Sequence, residues 1–273
     1  MTSLAETTRS LRARDRKALV AYFTAGYPDD ASFDSLVRAA VDAGADIIEV
    51  GIPFSDPIAD GPIIQKTSGE ALARGMTLTR ALETIARLSP QIEVPVVVMS
   101  YVNPILRFGV DAFAHAAARS GIAGVVLPDV SFEESSAFRP ALRGAALAYI
   151  DLVAPTSSEE RAREIARASV GFVYAVSITG VTGARTAARE DVESLVARVR
   201  AATDTPVYVG FGVSTPDTAA TIASVSDGVI IGSRLMQLAG DGPASGSASR
   251  VADFLAGVRD KLDRLAGDVK SRS

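Results

Sequence analysis

Eight short apolar runs, separated by segments with helical periodicity, constrain the fold of this 273-residue chain more than any other feature. The runs lack the alternation of polar and apolar residues seen in half-exposed strands, which is typical of strands covered on both faces in a parallel sheet. We predict strands at residues 18–24, 46–51, 94–101, 124–128, 148–154, 171–176, 206–210 and 228–231. Helical patterns fall between them, among others at residues 32–43, 111–120, 133–143, 159–168, 191–201 and 248–265.

The order of these elements favours the α/β class and a single (β/α)8 TIM barrel, for which about 250 residues suffice. A doubly wound open sheet, the main alternative, usually has a glycine-rich dinucleotide fingerprint after its first strand. The sequence there, at residues 25–28, is Ala-Gly-Tyr-Pro instead. We predict one domain over residues 1–273, with an N-terminal helix in residues 1–17 covering the barrel bottom and a flexible loop at 240–249 before the last helix.

Composition excludes several classes of protein. The chain has no cysteine, so disulfides, thiol nucleophiles and thiolate metal sites are excluded, and its only histidine, His115, lies on a polar helix face, so no metal site is expected. The net charge is −4 and the sequence has no separate basic block, which argues against binding to nucleic acid. We find neither a secretory signal nor a run of about 18 apolar residues, and therefore expect a soluble cytoplasmic protein that does not enter membranes.

The second run carries a carboxylate, Glu49, among apolar residues. Reactive groups of barrels gather at the carboxyl ends of the strands and in the loops that follow. Burial without a partner raises the pKa of a carboxyl group toward the range useful for proton transfer. A buried salt bridge to an arginine explains Glu49 equally well from the strand alone.

The loop after this run, residues 52–62, contains three prolines, two acids and a glycine, so we expect a stiff loop over the barrel mouth. Asp60 in this loop can reach back toward Glu49, although an isolated Asp-Gly-Pro is more typical of a turn or a helix cap. Asp56, which precedes a proline, is more typical of a turn or an outer contact.

Glycines follow the last three strands. Residues 178–185 contain Gly180 and Gly183, which permit the movements of a closing lid. After the seventh and eighth strands come Gly210-Phe211-Gly212 and Gly232-Ser233. Backbone N–H groups at these two places can approach an anion, and the two loops form the phosphate site of many barrels. We favour a phosphate site here over ordinary glycine turns.

With these residues in place, the chain resembles the alpha subunits of tryptophan synthase from its first strand to its last helix. Residues 49–62 are similar to the family's signature, residues 180–183 to its mobile lid, and the two glycine segments to its phosphate loops. The resemblance implies a lyase that cleaves indole-3-glycerol phosphate into indole and glyceraldehyde 3-phosphate. It implies that Glu49 acts as acid and then base and that Asp60 binds the indole N–H. It assigns Tyr174 to positioning near Glu49 and Thr182 to holding Asp60 when the lid closes.

The resemblance also implies the substrate contacts and a partner. The phosphate is expected on Gly183, Gly212, Gly232 and Ser233 beside Gly210, and the indole between Tyr22, Met99, Val126 and Phe211, with Tyr22 where the family is expected to have phenylalanine. The partner is the beta subunit, in an alpha–beta–beta–alpha heterotetramer, and pyridoxal phosphate is expected there rather than in this chain. Its contacts are expected at Pro53, Asp56, Pro57 and Asn103, although the same prolines also serve to hold Asp60.

Two other functions remain open at this stage. A barrel that binds a phosphorylated ligand without catalysis is disfavoured by the two acids, Glu49 and Asp60. A sugar-phosphate isomerase or aldolase needs a lysine at a strand end, a metal cluster or a catalytic histidine. None of the four lysines follows a predicted strand. The chemistry is therefore expected to depend on carboxylates, a tyrosine and backbone amides.

Overall fold

The computed structural model describes residues 3–176, 185–210 and 212–270. Within these residues a single sheet runs through β1 Ala18–Thr24, β2 Ile47–Gly51, β3 Val96–Met99, β4 Ile122–Val126, β5 Ala148–Ile150, β6 Leu152–Val153, β7 Val173–Ala175, β8 Val207–Val209 and β9 Gly228–Ile231. The strand order is β5-β4-β3-β2-β1-β9-β8-β7-β6, with parallel pairing throughout. Because only Asp151 separates β5 from β6, the two edges of the sheet approach each other in a nearly closed barrel. The predicted TIM-barrel fold is confirmed.

Helices surround the sheet. They are α1 Leu4–Ala13, α2 Asp30–Asp42, α3 Pro62–Ala73, α4 Leu78–Leu88, α5 Val102–Phe108, α6 Val110–Arg119, α7 Arg139–Gly144, α8 Glu159–Ala168, α9 Arg185–Arg200, α10 Pro216–Ala223, α11 Ser233–Gly240 and α12 Ser247–Lys270. Short 3-10 turns occur at Ser89–Gln91, Glu134–Ala137 and Ala244–Gly246. Among the described helices, none combines the length and the apolar composition that a membrane span requires.

The alternation of side chains along each strand decides which residues face the barrel interior. On β1, Ala18 and Val20 join the cluster inside the barrel, whereas Leu19 and Ala21 join the larger cluster between strands and helices. On β2, Ile47 joins the inner cluster, and Glu49, two residues later, points to the same face. The period of two therefore places the carboxylate of Glu49 inside the barrel.

The first helix closes the amino-terminal end of the barrel. A capping box begins α1, in which the Ser3 hydroxyl accepts a hydrogen bond from Glu6 N at 3.2 Å and the Glu6 carboxylate accepts one from Ser3 N at 3.0 Å. Leu4 and Leu11 on one face of the helix join the inner cluster of the barrel. The helix predicted in residues 1–17 thus runs over Leu4–Ala13 and packs against the ends of the strands.

Three predicted elements differ from the structure. The strand predicted at 148–154 is divided at Asp151 into β5 and β6, so the sheet has nine strands within the described residues. The helix predicted at 133–143 is divided into a 3-10 turn, Glu134–Ala137, and α7, because Pro140 has no N–H to continue a helix from the preceding turn. The loop predicted at 240–249 is shorter, since α11 continues to Gly240 and α12 already begins at Ser247. Arg250 ties this connection down, with Nε donating to Leu238 O at 2.9 Å. The mobility of the connection stays a prediction.

Asp46, just before β2, joins four parts of the fold at the amino-terminal end of the barrel. One of its carboxylate oxygens accepts hydrogen bonds from Leu19 N at 2.9 Å and from Arg259 Nη1 on α12 at 3.1 Å. The other accepts from Arg16 Nε at 3.3 Å. The Asp46 and Arg259 side chains are only 11% and 9% exposed, so the loss of one charge removes a buried ion pair from the network that also contains Arg16 and Asp263.

We predict that Asp46→Asn lowers the free energy of unfolding by about 2 kcal/mol, because it removes a charged hydrogen-bond acceptor of the mostly buried Arg259 guanidinium, which then keeps only Asp263 and the Lys17 carbonyl. The matched control is Asp204→Asn, which removes an exposed partner of Arg12 and should cost less than about 1 kcal/mol. Urea denaturation of both variants measures the difference. Equal stabilities of the two variants would contradict the role given to Asp46.

Candidate active site

A cavity of about 900 Å³ opens at the carboxyl ends of the strands. This volume lies within the range of small-molecule sites. Eight of the residues predicted from the sequence line it: Tyr22, Asp60, Met99, Tyr174, Gly210, Gly212, Gly232 and Ser233. The structure therefore brings the acid loop and both glycine segments to one cavity.

Glu49 lies fully enclosed beside this cavity. The residue is 0% exposed, and neither carboxylate oxygen has a hydrogen-bond partner among the residues that the structure describes. No ion pair joins it to any residue in the described ranges, so the salt-bridge interpretation of this acid has no support there. Burial raises the pKa of Glu49 to about 8, and the negative charge of Asp60 adds to the shift. At neutral pH the Glu49 carboxyl group is therefore mostly protonated.

Two tyrosines stand beside Glu49, each fitted over a glycine. Tyr22 pairs with Glu49 in the register of β1 and β2. A Cβ on Gly51 would lie 2.0 Å from the Tyr22 hydroxyl, and a Cβ on Gly210 would lie 2.3 Å from Tyr174 Cε1. Burial raises the pKa of both tyrosines, Asp60 adds to the shift at Tyr22, and Glu49 adds to it at Tyr174. Both hydroxyl groups therefore remain protonated at neutral pH. The two rings occupy space that a side chain at Gly51 or Gly210 would fill.

Asp60 closes the loop that follows β2. Asp60 N donates to Pro57 O at 3.0 Å, and α3 begins two residues later with Pro62 at its first position, where the missing N–H costs no helical hydrogen bond. Burial raises the pKa of Asp60 to about 6, against the effect of a hydrogen bond from Tyr101, which lowers it. Asp60 is therefore mostly ionised at neutral pH while Glu49 is protonated, which separates the two acids by role.

Tyr101 is a candidate site residue that the sequence analysis missed, since it contacts Asp60. Its hydroxyl accepts a hydrogen bond from Ala59 N at 3.0 Å and bonds to the Asp60 carboxylate, and its ring stacks on Phe54 with 5.2 Å between centroids. Tyr101 thus contacts three residues of the loop after β2, namely Phe54, Ala59 and Asp60. Its place as the last residue of the third predicted strand was a usable signal, since the carboxyl ends of strands carry function in barrels. Further cavity walls that the sequence did not predict are Ile64, Pro128, Leu152 and Val213.

The glycine segments form another part of the cavity wall. Gly212 has a φ of +67°, a conformation that favours glycine. Gly232 is the N-cap of α11, whose first residue is Ser233. The free N–H groups and the positive end of the helix dipole therefore face this part of the cavity. Such a helix start suits an anion.

One predicted wall residue does not line the cavity, and three other predicted site residues are outside the described ranges. Val126 is 0% exposed in the inner cluster and is not among the residues that line the cavity. Thr182, Gly183 and Phe211 lie outside the described residues. The described residues contain no group of three or more histidine, aspartate or glutamate side chains that would hold a metal ion.

The residues predicted for a partner lie on the outer rim of the same end of the barrel, although they differ in exposure. Asp56 and Asn103 are exposed, Pro57 is half-buried and Pro53 is buried, so Pro53 shapes the loop without reaching its surface. Three large apolar side chains of the described residues are exposed, and two of them belong to the loop after β2 and to α5, beside these partner residues. They are Ile58, 83% exposed, and Leu106, 53% exposed.

Known proteins are similar to this chain over nearly its whole length. The family model described as tryptophan synthase alpha chain matches residues 8–263. The chain is 45% identical to the tryptophan synthase alpha chain of Geobacter sulfurreducens over 96% of its own length and 99% of that protein. It is 44% identical to the tryptophan synthase alpha chain of an Azoarcus species over 98% of its length and 99% of that protein.

Solved structures show the same similarity. A Mycobacterium tuberculosis tryptophan synthase structure matches with a TM-score of 0.87 and 40% identity over 96% of this chain and 99% of that chain. A tryptophan synthase alpha chain from Legionella pneumophila matches with a TM-score of 0.88 and 31% identity, over 97% of this chain and 98% of that one. With its fold, its paired acids and these relatives, the chain belongs to the tryptophan synthase alpha chain family.

Proposed function

We propose that this chain is a lyase that cleaves indole-3-glycerol phosphate into indole and glyceraldehyde 3-phosphate and acts in the cytoplasm. The observation that carries the proposal is the enclosed carboxyl group of Glu49, which has no partner for either oxygen and a pKa raised to about 8 by burial. A protonated acid at neutral pH, beside a cavity with an ionised Asp60, is what the cleavage needs first.

The reaction begins at the indole ring. The bond to be broken joins a ring carbon to the glycerol side chain, and that ring carbon is a poor leaving group until it is protonated. Glu49 donates its proton to this carbon, which moves positive charge to the ring nitrogen. Because the carboxyl group is enclosed in the structure, its side chain must turn toward the cavity when the ring is bound.

The same side chain completes the reaction as a base. After donating its proton, the Glu49 carboxylate accepts the proton of the hydroxyl group on the side-chain carbon next to the ring. The electron pair of that O–H bond forms the aldehyde, and the pair of the broken carbon–carbon bond neutralises the ring. The products are indole and glyceraldehyde 3-phosphate, and Glu49 is protonated again. No external oxidant or reductant enters this balance.

Asp60 supports the charge that develops on the ring. Its ionised carboxylate accepts a hydrogen bond from the indole N–H and stabilises the positive charge that grows on the nitrogen. Tyr101 holds Asp60 in place, and Tyr22 and Met99 form walls for the ring. We assign Thr182 to a hydrogen bond with Asp60 when the segment around it closes over the substrate.

The phosphate group binds at the other end of the cavity. The N–H groups of Gly212, Gly232 and Ser233 hold it there, with Gly210 beside them and Gly183 contributed by the closing segment. This contact fixes the substrate along the cavity so that its ring lies near Glu49 and Asp60. We propose that Phe211 and Val126 complete the indole site, Val126 from the barrel interior.

We further propose that indole passes to a tryptophan synthase beta chain in an alpha–beta–beta–alpha complex. The pyridoxal phosphate of the pathway is expected in that partner, and cleavage in this chain needs no cofactor. The docking surface consists of Asp56, Pro57, Ile58, Asn103 and Leu106. Its support is the exposure of two large apolar side chains on a rim next to the acid loop, since such side chains favour an interface.

The direct test of the function is indole release from indole-3-glycerol phosphate by the purified chain, which contains no tryptophan and so has a low optical background. We predict that Glu49→Gln lowers kcat by about 100-fold or more, because the amide cannot donate and then accept the proton. Glycerol 3-phosphate binding and the melting temperature serve as controls and should persist. A Glu49→Gln protein with near-wild-type kcat would refute the assignment.

For Asp60→Asn we predict a loss of about 10- to 100-fold in kcat/KM, because the amide oxygen still accepts the indole N–H but no longer stabilises its charge. Tyr101→Phe, which keeps the carboxyl group of Asp60 and removes one of its anchors, should lose less. Steady-state kinetics of indole release ranks the two. A larger loss in Tyr101→Phe than in Asp60→Asn would contradict the direct role of Asp60.

For the docking surface we predict that Ile58→Asp weakens binding to the beta chain by about tenfold or more, because it places a charge in an apolar contact. The control is Val170→Asp, which changes a 49% exposed valine beside the amino-terminal end of β7. Co-purification and titration with the beta chain measure both, and the activity of each variant alone should be unchanged. Equal binding by both variants would contradict the proposed surface.

A further inference from the structure

Arg234 is a cation on the wall of the cavity without a counter-ion in the described part of the chain. It follows Ser233 in the first turn of α11 and lines the same cavity as Gly212 and Gly232. Its Nε is buried and has no hydrogen-bond partner. The guanidinium carbon lies 5.9 Å from the centroid of the Phe254 ring, which gives the group an apolar support on one side.

Other partly buried arginines of the protein are anchored. Arg139 pairs with Asp151, and Arg259 pairs with Asp46 and Asp263. Arg198 donates to two backbone carbonyls, Ser157 O at 2.8 Å and Pro155 O at 3.2 Å. The Nε atoms of Arg198 and Arg259 are also unmatched, but other nitrogens of these two guanidinium groups are hydrogen-bonded. Among the described residues the Arg234 guanidinium has no such anchor at any nitrogen, and buried hydrogen-bond donors are rarely left in that state.

The two charged side chains on the cavity wall come from different loops. Asp60 follows β2, whereas Arg234 follows β9 and is adjacent to Gly232 and Ser233. Among the described residues that line the cavity, Arg234 is the cation. A phosphate monoester carries about −1.5 to −2 charges at pH 7, whereas backbone N–H groups and a helix start supply only partial charges. The amides alone therefore leave part of the phosphate charge unbalanced.

We propose that the Arg234 guanidinium binds the phosphate group of the substrate, as a charged side-chain contact in addition to the backbone amides. This role rests on the proposed function. A guanidinium donates two N–H groups in a fixed plane that matches two phosphate oxygens, which makes it suited to this contact. Arg234 and Asp60 then orient the substrate from opposite ends of the cavity, the phosphate at one end and the indole N–H at the other.

The experiment is calorimetric titration of the full chain with glycerol 3-phosphate, together with the kinetics of indole release. Arg234→Gln should weaken glycerol 3-phosphate binding by about 10- to 100-fold and raise KM by a similar factor, with kcat unchanged because Glu49 and Asp60 are untouched. Arg234→Lys should recover part of the binding, and Arg234→Met, whose unbranched stem still packs on Phe254, should not. If Arg234 had only a structural role, Arg234→Lys and Arg234→Met would not differ in this way in their binding of glycerol 3-phosphate.

The matched control is Arg143→Gln, which removes an exposed positive charge on α7 near the amino-terminal ends of β4 and β5. It should leave binding and kinetics unchanged. The inference is overturned if Arg234→Gln or Arg234→Met binds glycerol 3-phosphate as tightly as the unchanged chain does. If the unchanged chain binds glycerol 3-phosphate through Arg234 and releases no indole, the proposed function fails and the phosphate contact stands.

Discussion

The exclusion of water from one carboxyl group is the constraint on which the site depends. Glu49 points into the barrel because the period of two on β2 places it on the same face as Ile47. Two tyrosine rings, fitted over Gly51 and Gly210, stand beside it, and neither of its oxygens finds a partner. An ionised carboxylate is costly in such surroundings, so the group retains its proton at a pH where an exposed glutamate has lost it.

Two acids close together in the sequence, Asp46 and Glu49, have opposite surroundings. Asp46, at the amino-terminal end of the barrel, accepts hydrogen bonds from Arg16, Arg259 and a backbone N–H, and it joins the first and last parts of the chain. Glu49, three residues later and toward the carboxyl end, has no such partner. This division between a stabilising end and a reactive end is a general property of the TIM barrel, and here it lies within four residues of one chain segment.

The sequence was sufficient for the fold and for much of the site, because both depend on local patterns. The apolar runs located the strands, and Glu49, Asp60 and the glycine segments stood at strand ends, where barrels place their chemistry. Properties that depend on three-dimensional contacts were missed. The bond from Tyr101 to Asp60 joins residues 41 positions apart, and the enclosure of Val126 depends on the side chains packed around it inside the barrel. The lack of a counter-ion for Arg234 among the described residues is visible only once its neighbours are placed.

The titration of Glu49 itself tests the account most directly. Isotope-edited infrared or carbon NMR spectra of protein labelled in the glutamate carboxyl groups, recorded across pH and compared with Glu49→Gln, isolate the signal of this one group. Burial predicts a midpoint at about 8, well above the ordinary value of 4.5. A midpoint close to 4.5 would mean that Glu49 is ionised at neutral pH, and a carboxylate in that state cannot donate the proton that begins the cleavage.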